Sequence, residues 1–229
     1  MTTISMGITL VHSPLWFHGI DIVLEVFSII AAVLITLVGY KAYKLTKEAR
    51  FFYFSLAFGF ISLSFLARAI TASVVISQLS GPITTLTQAS YNYIENVFSI
   101  GRFFYFLLVL FAYEILLVLS MRLANRRIIF LLTLFMILFA ASAFNASPII
   151  FYLVCLFLLI FITWQYRDNY LVKRTPSTLL STTAFSLLVV EFILYIASMW
   201  VQPLVAAAYL FRLTAYVILL AMIVRVYAK

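Results

Sequence analysis

Charged residues are scarce in this chain of 229 residues: Asp, Glu, Lys and Arg together make up 10% of it, against 66% hydrophobic residues. The mean hydropathy is +1.17. A soluble globular domain cannot bury that much apolar surface, so the composition excludes this class and predicts a protein that lies in a lipid bilayer. The length leaves no room for a second domain beside the membrane spans, and residues 1–229 are predicted to form a single transmembrane domain.

Cysteines, early basic residues and catalytic motifs are also lacking. The single cysteine, Cys155, lies in an apolar run, which excludes an intrachain disulfide and a thiolate metal cluster. No Lys or Arg precedes Lys41, so the chain lacks the basic region of a cleavable signal peptide, and the first apolar run is expected to remain as a helix. Glycine-rich phosphate loops, Ser/His/Asp sets and paired cysteines are absent, and no cofactor is predicted.

Long apolar runs dominate the rest of the sequence. About 20 apolar residues cross a bilayer, and a helix satisfies its own backbone hydrogen bonds within lipid. Seven runs meet this requirement and predict an all-α membrane protein, a bundle of seven transmembrane helices. The predicted spans are residues 20–40, 51–77, 93–120, 128–144, 148–166, 178–200 and 203–224.

Basic residues outside the spans all lie on one side of them. Three of the 15 Lys and Arg, namely Arg68, Arg102 and Arg212, are within spans. The other 12 fall on a single face, whereas the opposite face contains none. Basic connections stay in the cytoplasm, so this asymmetry predicts an outer N-terminus, a cytoplasmic C-terminus and a multi-pass protein of the cell membrane. The formal charge of +8 is therefore explained by the membrane orientation of the chain, and no nucleic-acid partner is predicted.

Matched residues indicate an internal repeat of three helices, a linker helix and three more helices. Residues 35–36, 57–58 and 65 match residues 162–163, 184–185 and 192 at one constant offset, and residues 112–117 resemble residues 215–220. Such a repeat makes helices 1 to 3 equivalent to helices 5 to 7, as in parallel-repeat transporters. Chance is the alternative explanation, because a chain this rich in Leu, Ile, Phe and Ala often matches itself.

Ionisable side chains within the spans are the main functional signal, because they are costly in hydrocarbon and usually face the bundle interior in pairs. They recur every three or four residues, which places each set on one face of its helix. The topology puts these sets in the outer half of the membrane, where three arginines face four carboxylates. Helices 4 and 5 carry no comparable groups and are expected at the periphery. The candidates for ligand binding or an ion pathway are Asp21, Glu25, Arg68, Glu95, Arg102, Glu191, Tyr195, Tyr209, Arg212 and Tyr216.

Glu114 and a possible metal set give weaker signals. Glu114 lies in the inner half, about 18 Å along the helix from Arg102, so the two cannot share a site. A basic residue of an inner connection is its expected partner, and an inner station of a proton path is the alternative. His18, Asp21 and Glu25 share a helical face and are metal-ligand types, but nothing completes a site, so no metal is predicted.

The predicted topology resembles that of microbial rhodopsins, of small sugar transporters built as three plus one plus three helices, and of sensor membrane domains. Diagnostic residues of the first two are missing: helix 7 has Arg212 and Tyr216 but no lysine for a retinal Schiff base, and the proline-glutamine signature of the sugar transporters is absent. Residues 40–69, where a basic connection runs into the Phe-Ser-Leu-Ala-Phe segment at 54–58, resemble uncharacterised seven-helix membrane proteins of prokaryotes, of archaeal type. This resemblance implies a fold and no activity.

A non-enzymatic, sensor-like or accessory membrane subunit is the leading functional hypothesis. Its polar pocket in the outer half would hold a small ligand or a segment of a partner protein, with an anion as the first choice of ligand because arginine binds carboxylate and phosphate through its planar fork. One alternative is a small transporter of an ion or polar solute through the same residues, and another is an ion-pair network that only holds the helices in register. A third alternative is an intramembrane enzyme that uses Glu191 or Glu114 as an acid or base, but the sequence contains no recognisable set of catalytic residues that supports it. Expected partners are the lipid bilayer and a membrane protein, either a different protein or a second copy of this chain.

Overall fold

Seven α-helices follow one another along the chain in a computed structural model that describes residues 20–79, 88–123, 125–145 and 149–227. No strand occurs within these ranges. The predicted all-α bundle of seven helices is therefore confirmed. The helices are α1 (Ile20–Thr46), α2 (Ala49–Leu79), α3 (Gln88–Met121), α4 (Arg126–Asn145), α5 (Ile149–Lys173), α6 (Pro176–Ala197) and α7 (Leu204–Tyr227).

The helices have the length and the apolar surface of membrane spans. Among the described residues, every helix except the shorter α4 is long and apolar enough to cross a membrane. The outside of the bundle is also apolar, and side chains such as Phe130, Phe157 and Trp164 are more than half exposed. Such surfaces are unfavourable in water and favourable against acyl chains. The chain is therefore a multi-pass integral membrane protein whose surroundings are a lipid bilayer.

Several helices continue beyond their predicted spans at the polar ends. α1 extends to Thr46 instead of residue 40, α5 extends to Lys173 instead of residue 166, and α3 begins at Gln88 instead of residue 93. Hydropathy reports only the apolar segment, whereas a helix continues for as long as its backbone hydrogen bonds remain. The long stems of Lys and Arg bring their charges to the headgroup level, so basic turns extend a span at little cost.

Helix packing follows the predicted repeat. In the first half α1 packs on α2 and α2 on α3, and in the second half α5 packs on α6 and α6 on α7. The halves meet where α1 packs on α7 and where α5 packs on α3. When α1, α2 and α3 are exchanged with α5, α6 and α7, the α1–α2 contact corresponds to α5–α6 and the α2–α3 contact to α6–α7. The contact of α1 with α7 corresponds in the same way to that of α5 with α3. This is the packing pattern expected of two repeated halves, with α4 as the linker between them.

Core contacts are matched between the halves as well. The rings of Phe65 and Tyr216 lie 6.4 Å apart, and their repeat equivalents, Phe192 and Tyr113, lie 6.0 Å apart. Matched contacts between matched residues are not explained by chance similarity of apolar sequence. The apolar residues that the repeat pairs in α1, α2, α5 and α6 are buried, namely Ile35 with Ile162, Ala57 with Ala184, Phe58 with Phe185 and Phe65 with Phe192, and the paired Thr36 and Thr163 are both half-buried.

The C-terminal ends of α1 and α5 provide a further match. Lys47 and Arg174 both adopt the left-handed backbone region, with φ of 57° and 47°. Each donates its backbone N–H to the carbonyl of a tyrosine four residues earlier, Tyr43 or Tyr170, at 2.8 Å. The two tyrosines stand at the same offset as the other repeat residues. Left-handed residues end many helices, and Arg122 after α3 adopts the same region with φ of 52°, so this match agrees with the repeat while the ring contacts remain its main support.

α5 does not lie at the periphery, contrary to the prediction from its lack of charge. The ring of Phe151, which is buried, stacks on Phe106 of α3 at a centroid distance of 4.0 Å. Tyr152 stacks on Tyr195 of α6 at 5.6 Å. The prediction failed because an apolar helix is placed in a membrane bundle by packing, and polarity does not report packing. α4 does lie at the edge: Met136 and Ala140 are the only buried apolar residues in its described part.

Gly101 allows close contact between α2 and α3, and its replacement should be destabilising. A Cβ added at Gly101 would overlap the side chain of Thr71, whose hydroxyl donates to the carbonyl of Ala67 at 2.8 Å. Branching at Cβ restricts the rotation of Thr71, so Gly101→Ala is expected to separate the helices and lower the free energy of unfolding by about 1–3 kcal/mol. Gly59→Ala is the control, since its Cβ would lie 3.6 Å from Thr36, an ordinary contact. Unfolding in mixed micelles measures both, and equal stability of the two variants would contradict this packing.

Candidate functional site

A buried ion pair joins α6 to α7 inside the bundle. Arg212 Nε donates to Glu191 Oε1 at 2.5 Å, and Arg212 Nη2 donates to the hydroxyl of Tyr195 at 2.8 Å. Arg212 is only 2% exposed and Glu191 only 1%. Burying either charge alone would cost several kcal/mol, so each side chain is tolerated at this position because the other is present.

Aromatic rings enclose the guanidinium of Arg212. Its Cζ atom lies 4.8 Å from the ring centroid of Phe65, 5.1 Å from that of Tyr209 and 5.3 Å from that of Tyr195. Ring faces attract a cation, and the attraction increases where water does not compete. The rings therefore replace part of the solvation that Arg212 loses, and Phe65 brings α2 into the site.

A second ion pair lies beside the first. Arg68 Nε of α2 is 3.3 Å from Glu25 Oε1 of α1, without the alignment of a hydrogen bond, and the two side chains are 36% and 12% exposed. Arg68 Nη2 donates to the hydroxyl of Tyr209 at 2.6 Å. Because the Tyr209 ring also contacts Arg212, Tyr209 connects the two ion pairs. We refer to these residues as the polar cluster: Glu25, Arg68, Glu191, Tyr195, Tyr209 and Arg212.

The polar cluster lies between the two halves of the repeat. Arg68 of the first half binds Tyr209 of the second, and Phe65 of the first half contacts Arg212 of the second. Glu25 and Arg212 are about 8 Å and 12 Å along their helices from the first residues of α1 and α7. The cluster is thus nearer to the end of the bundle that has no basic connections. In the orientation predicted from Lys and Arg, this end is the outer one.

Besides Glu25 Oε1, which faces Arg68 Nε at 3.3 Å, two charged-group atoms in the polar cluster are buried without a hydrogen bond. They are Oε2 of Glu191, which accepts, and Nη1 of Arg212, which donates. Leaving such an atom unmatched costs about 1–3 kcal/mol or more, and native proteins usually satisfy it with water or another polar group. Glu191 Oε2 can therefore accept, and Arg212 Nη1 can donate, one further hydrogen bond.

Glu95 and Arg102 of α3 do not join the polar cluster, although both were candidates. Glu95 is exposed. The Arg102 guanidinium lies 5.3 Å from the ring centroid of Phe98, and its Nε atom is buried without a hydrogen bond. No carboxylate with a described side chain lies within ion-pair distance of Arg102. Of the three arginines and four carboxylates expected together, the structure brings together Arg68, Arg212, Glu25 and Glu191.

Tyr216 is buried one turn of α7 beyond Arg212. Its ring lies 6.0 Å from that of Phe58 and 6.4 Å from that of Phe65, so it belongs to the apolar core beneath the cluster. The remaining candidate, Asp21, has a side chain outside the described residues.

The suggested metal ligands are only partly visible. His18 lies outside the described residues, as does the side chain of Asp21. Among the side chains that the structure does describe, no group of three His, Cys, Asp or Glu is placed to hold a metal ion. Glu25 is engaged with Arg68.

Glu114 is buried and is bonded to a neutral partner. Thr133 of α4 donates its hydroxyl to Glu114 Oε1 at 2.5 Å. The expectation of a basic partner from an inner connection is wrong within the described ranges, because no Lys or Arg there lies within ion-pair distance of Glu114. Sequence position alone does not reveal that α4 packs on α3 at this level.

Three aromatic residues of the site were not predicted from the sequence. They are Phe65, which covers Arg212, Tyr105, whose ring lies 5.6 Å from the Arg68 guanidinium, and Tyr152, which stacks on Tyr195. Sequence signals could have found two of them. Tyr105 follows Arg102 by three residues and shares its helical face. Tyr152 stands at the repeat position of Glu25.

Comparisons with known proteins give no assignment. No family model matches the sequence, and neither a curated protein nor a solved structure matches it. The resemblance to prokaryotic seven-helix proteins therefore stays a prediction, and the contacts of the polar cluster carry the functional argument.

The Glu191–Arg212 pair should behave as a unit in stability measurements. Arg212→Met leaves the buried Glu191 carboxylate without its cation and is expected to cost about 3–5 kcal/mol of unfolding free energy. Adding Glu191→Met should recover most of this loss, because the isolated charge disappears. Arg68→Met should cost less than Arg212→Met, since the Arg68 side chain is 36% exposed. Denaturant unfolding of these three variants and of Glu191→Met alone gives the four values, and a double variant whose loss equals the sum of the Arg212→Met and Glu191→Met losses would refute the coupling.

Proposed function

We propose that this chain is a non-enzymatic protein of the cell membrane, a sensor-like or accessory subunit that binds a small polar ligand at the polar cluster. The observation that carries the proposal is the pair of unmatched atoms, Glu191 Oε2 and Arg212 Nη1. A network that served only to hold helices together would be more stable with every polar atom bonded. Unmatched atoms of a buried pair are what a ligand site presents before its ligand binds.

The charge of the polar cluster favours a neutral ligand. Arg68 and Arg212 each face a carboxylate, so the formal charges of the cluster balance. A free anion would meet the Glu191 carboxylate, and it could not donate a hydrogen bond to Oε2. A ligand with both a donor and an acceptor, such as an amide or a hydroxyl compound, suits both unmatched atoms. Among small ligands we therefore place an uncharged one ahead of the anion that the arginines alone predicted.

Acetamide and acetate, which have the same shape, should separate these two ligand classes. Acetamide is expected to raise the melting temperature of the purified chain in lipid nanodiscs, and acetate to raise it less. Glu191→Gln and Arg212→Lys should each reduce the response to acetamide, because they change the unmatched atoms. Glu95→Gln removes the same charge from an exposed position and should keep the full response.

Three outcomes of this assay would count against the proposal. A larger shift with acetate would favour the anionic ligand. Equal acetamide shifts in wild type and Glu191→Gln would place any binding outside the polar cluster. The absence of any shift, together with lower melting temperatures of the Glu191 and Arg212 variants, would favour the purely structural network.

Transport is the second candidate, and one specific observation favours it. The polar cluster lies where the two repeated halves meet, which is the position of the substrate site in transporters built from repeats. Proteoliposomes loaded with a pH-sensitive dye, or exposed to labelled acetamide, test this candidate. Flux that is lost with Glu191→Gln and retained with Glu95→Gln would establish transport. Acetamide binding without flux would support a sensor-like or accessory role, whose signal would pass through a partner membrane protein because the inner connections are short.

A further inference from the structure

A separate cavity lies at the basic end of the bundle, away from the polar cluster. It has a volume of about 790 Å³ and is lined by the beginning of α2, the end of α3 and the beginning of α4. α2 and α4 both pack on α3, and the cavity occupies the space between them. A volume of this size is in the range of small-molecule sites. The space is thus large enough for an organic headgroup and part of an acyl chain.

The cavity has a basic rim and an apolar wall. Arg50 and Arg122 line it and are both exposed, at the beginning of α2 and directly after the end of α3. The wall deeper along the helices is formed by side chains such as Phe60, Phe111 and Val118. A phospholipid is complementary to this arrangement, because its negative phosphate lies above its apolar acyl chains. The phosphate would meet the basic rim and a chain would meet the apolar wall.

The two arginines are able to take up a negative headgroup. Arg50 Nη2 lies 3.4 Å from Glu48, but both side chains are more than half exposed, and exposed pairs contribute little. No described carboxylate lies within ion-pair distance of Arg122. Arg126 and Arg127 begin α4 close by in the chain and are also exposed, which makes this end more positive.

Glu114 does not oppose an anionic headgroup at this rim. It lies in the wall, eight residues before Arg122 and hence about 12 Å further along α3. Its carboxylate is buried and accepts the hydroxyl of Thr133. At this depth it faces the glycerol or acyl region of a lipid whose phosphate is at the rim.

We infer that this cavity binds an anionic phospholipid from the leaflet at the basic end, with its phosphate at Arg50 and Arg122 and an acyl chain along the α2–α3–α4 wall. Basic pockets between membrane helices on the cytoplasmic side recognise anionic headgroups in this way. The site is independent of the polar cluster and of the function proposed for it.

Lipid binding to the purified chain in a neutral detergent tests the inference. Native mass spectrometry would measure the affinity for dioleoyl-phosphatidylglycerol and for dioleoyl-phosphatidylcholine, which differ in headgroup charge. Phosphatidylglycerol should bind more tightly. Arg50→Gln and Arg122→Gln should each lower the affinity for phosphatidylglycerol about fivefold and leave the affinity for phosphatidylcholine nearly unchanged. Arg167→Gln, an exposed basic residue at the same end outside the cavity, is the control and should bind like wild type.

A second pair of variants tests the wall without changing charge. Val118→Phe fills the cavity and should lower the affinity for phosphatidylglycerol several-fold. Val217→Phe, on an exposed face of α7, should leave this affinity unchanged. Equal affinities for the two lipids would overturn the inference. So would equal losses in Arg122→Gln and Arg167→Gln, which would indicate attraction to the whole basic end. Unchanged binding in Val118→Phe would show that the lipid does not enter the cavity.

Discussion

Neutralisation of charge inside hydrocarbon is the constraint on which this structure depends. Glu191 and Arg212 are both almost completely buried, and each removes the main cost of the other through a direct hydrogen bond. The surrounding rings of Phe65, Tyr195 and Tyr209 complete the enclosure. These contacts join α6 and α7, which follow one another in the chain, to the distant helix α2, so the enclosed ion pair forms only when all three helices are packed together. A bundle without this packing would have to insert an isolated charge into lipid.

The repeat gives this constraint an architectural setting. Two three-helix halves with matching contacts form the scaffold, yet the charges do not repeat. The positions equivalent to Glu191 and Arg212 are Ser64 and Val109, and those equivalent to Glu25 and Arg68 are Tyr152 and Tyr195. Equivalent positions in the two halves thus face the same interface with different chemistry. The symmetric part builds the fold, and the asymmetric part builds the polar cluster.

Apolar run length and the positions of Lys and Arg were sufficient to predict seven helices, because a bilayer requires both a minimum length and an internally bonded backbone. Helix ends were harder, since the polar turns after Tyr40 and Tyr166 continue the helix beyond the hydrocarbon. The repeat was visible in a few matched residues, but only the contacts distinguish it from chance. The prediction that α5 lies at the periphery was wrong because an apolar helix has the same kind of sequence whether lipid or protein covers it.

The candidate site was predictable to the extent that charge in a span demands a partner. The structure pairs two arginines with two carboxylates as this rule requires, namely Arg68 with Glu25 and Arg212 with Glu191. The sequence does not determine which carboxylate pairs with which arginine. Arg102 was grouped with them by helical spacing, and its guanidinium lies over Phe98 instead. The aromatic contacts of Phe65, Tyr105 and Tyr152 escaped prediction because Phe and Tyr are abundant, with 23 and 14 residues in the whole chain. The partners of Arg212 therefore depend on tertiary packing that spacing does not encode.

The most direct test of this account is an experimental density map of the chain in lipid nanodiscs, at a resolution that shows ordered water. We predict continuous density between the Glu191 and Arg212 side chains at hydrogen-bond distance, and a separate small feature within reach of Glu191 Oε2 or Arg212 Nη1. A map in which these two side chains point away from each other, into lipid or to opposite sides of the bundle, would contradict the account.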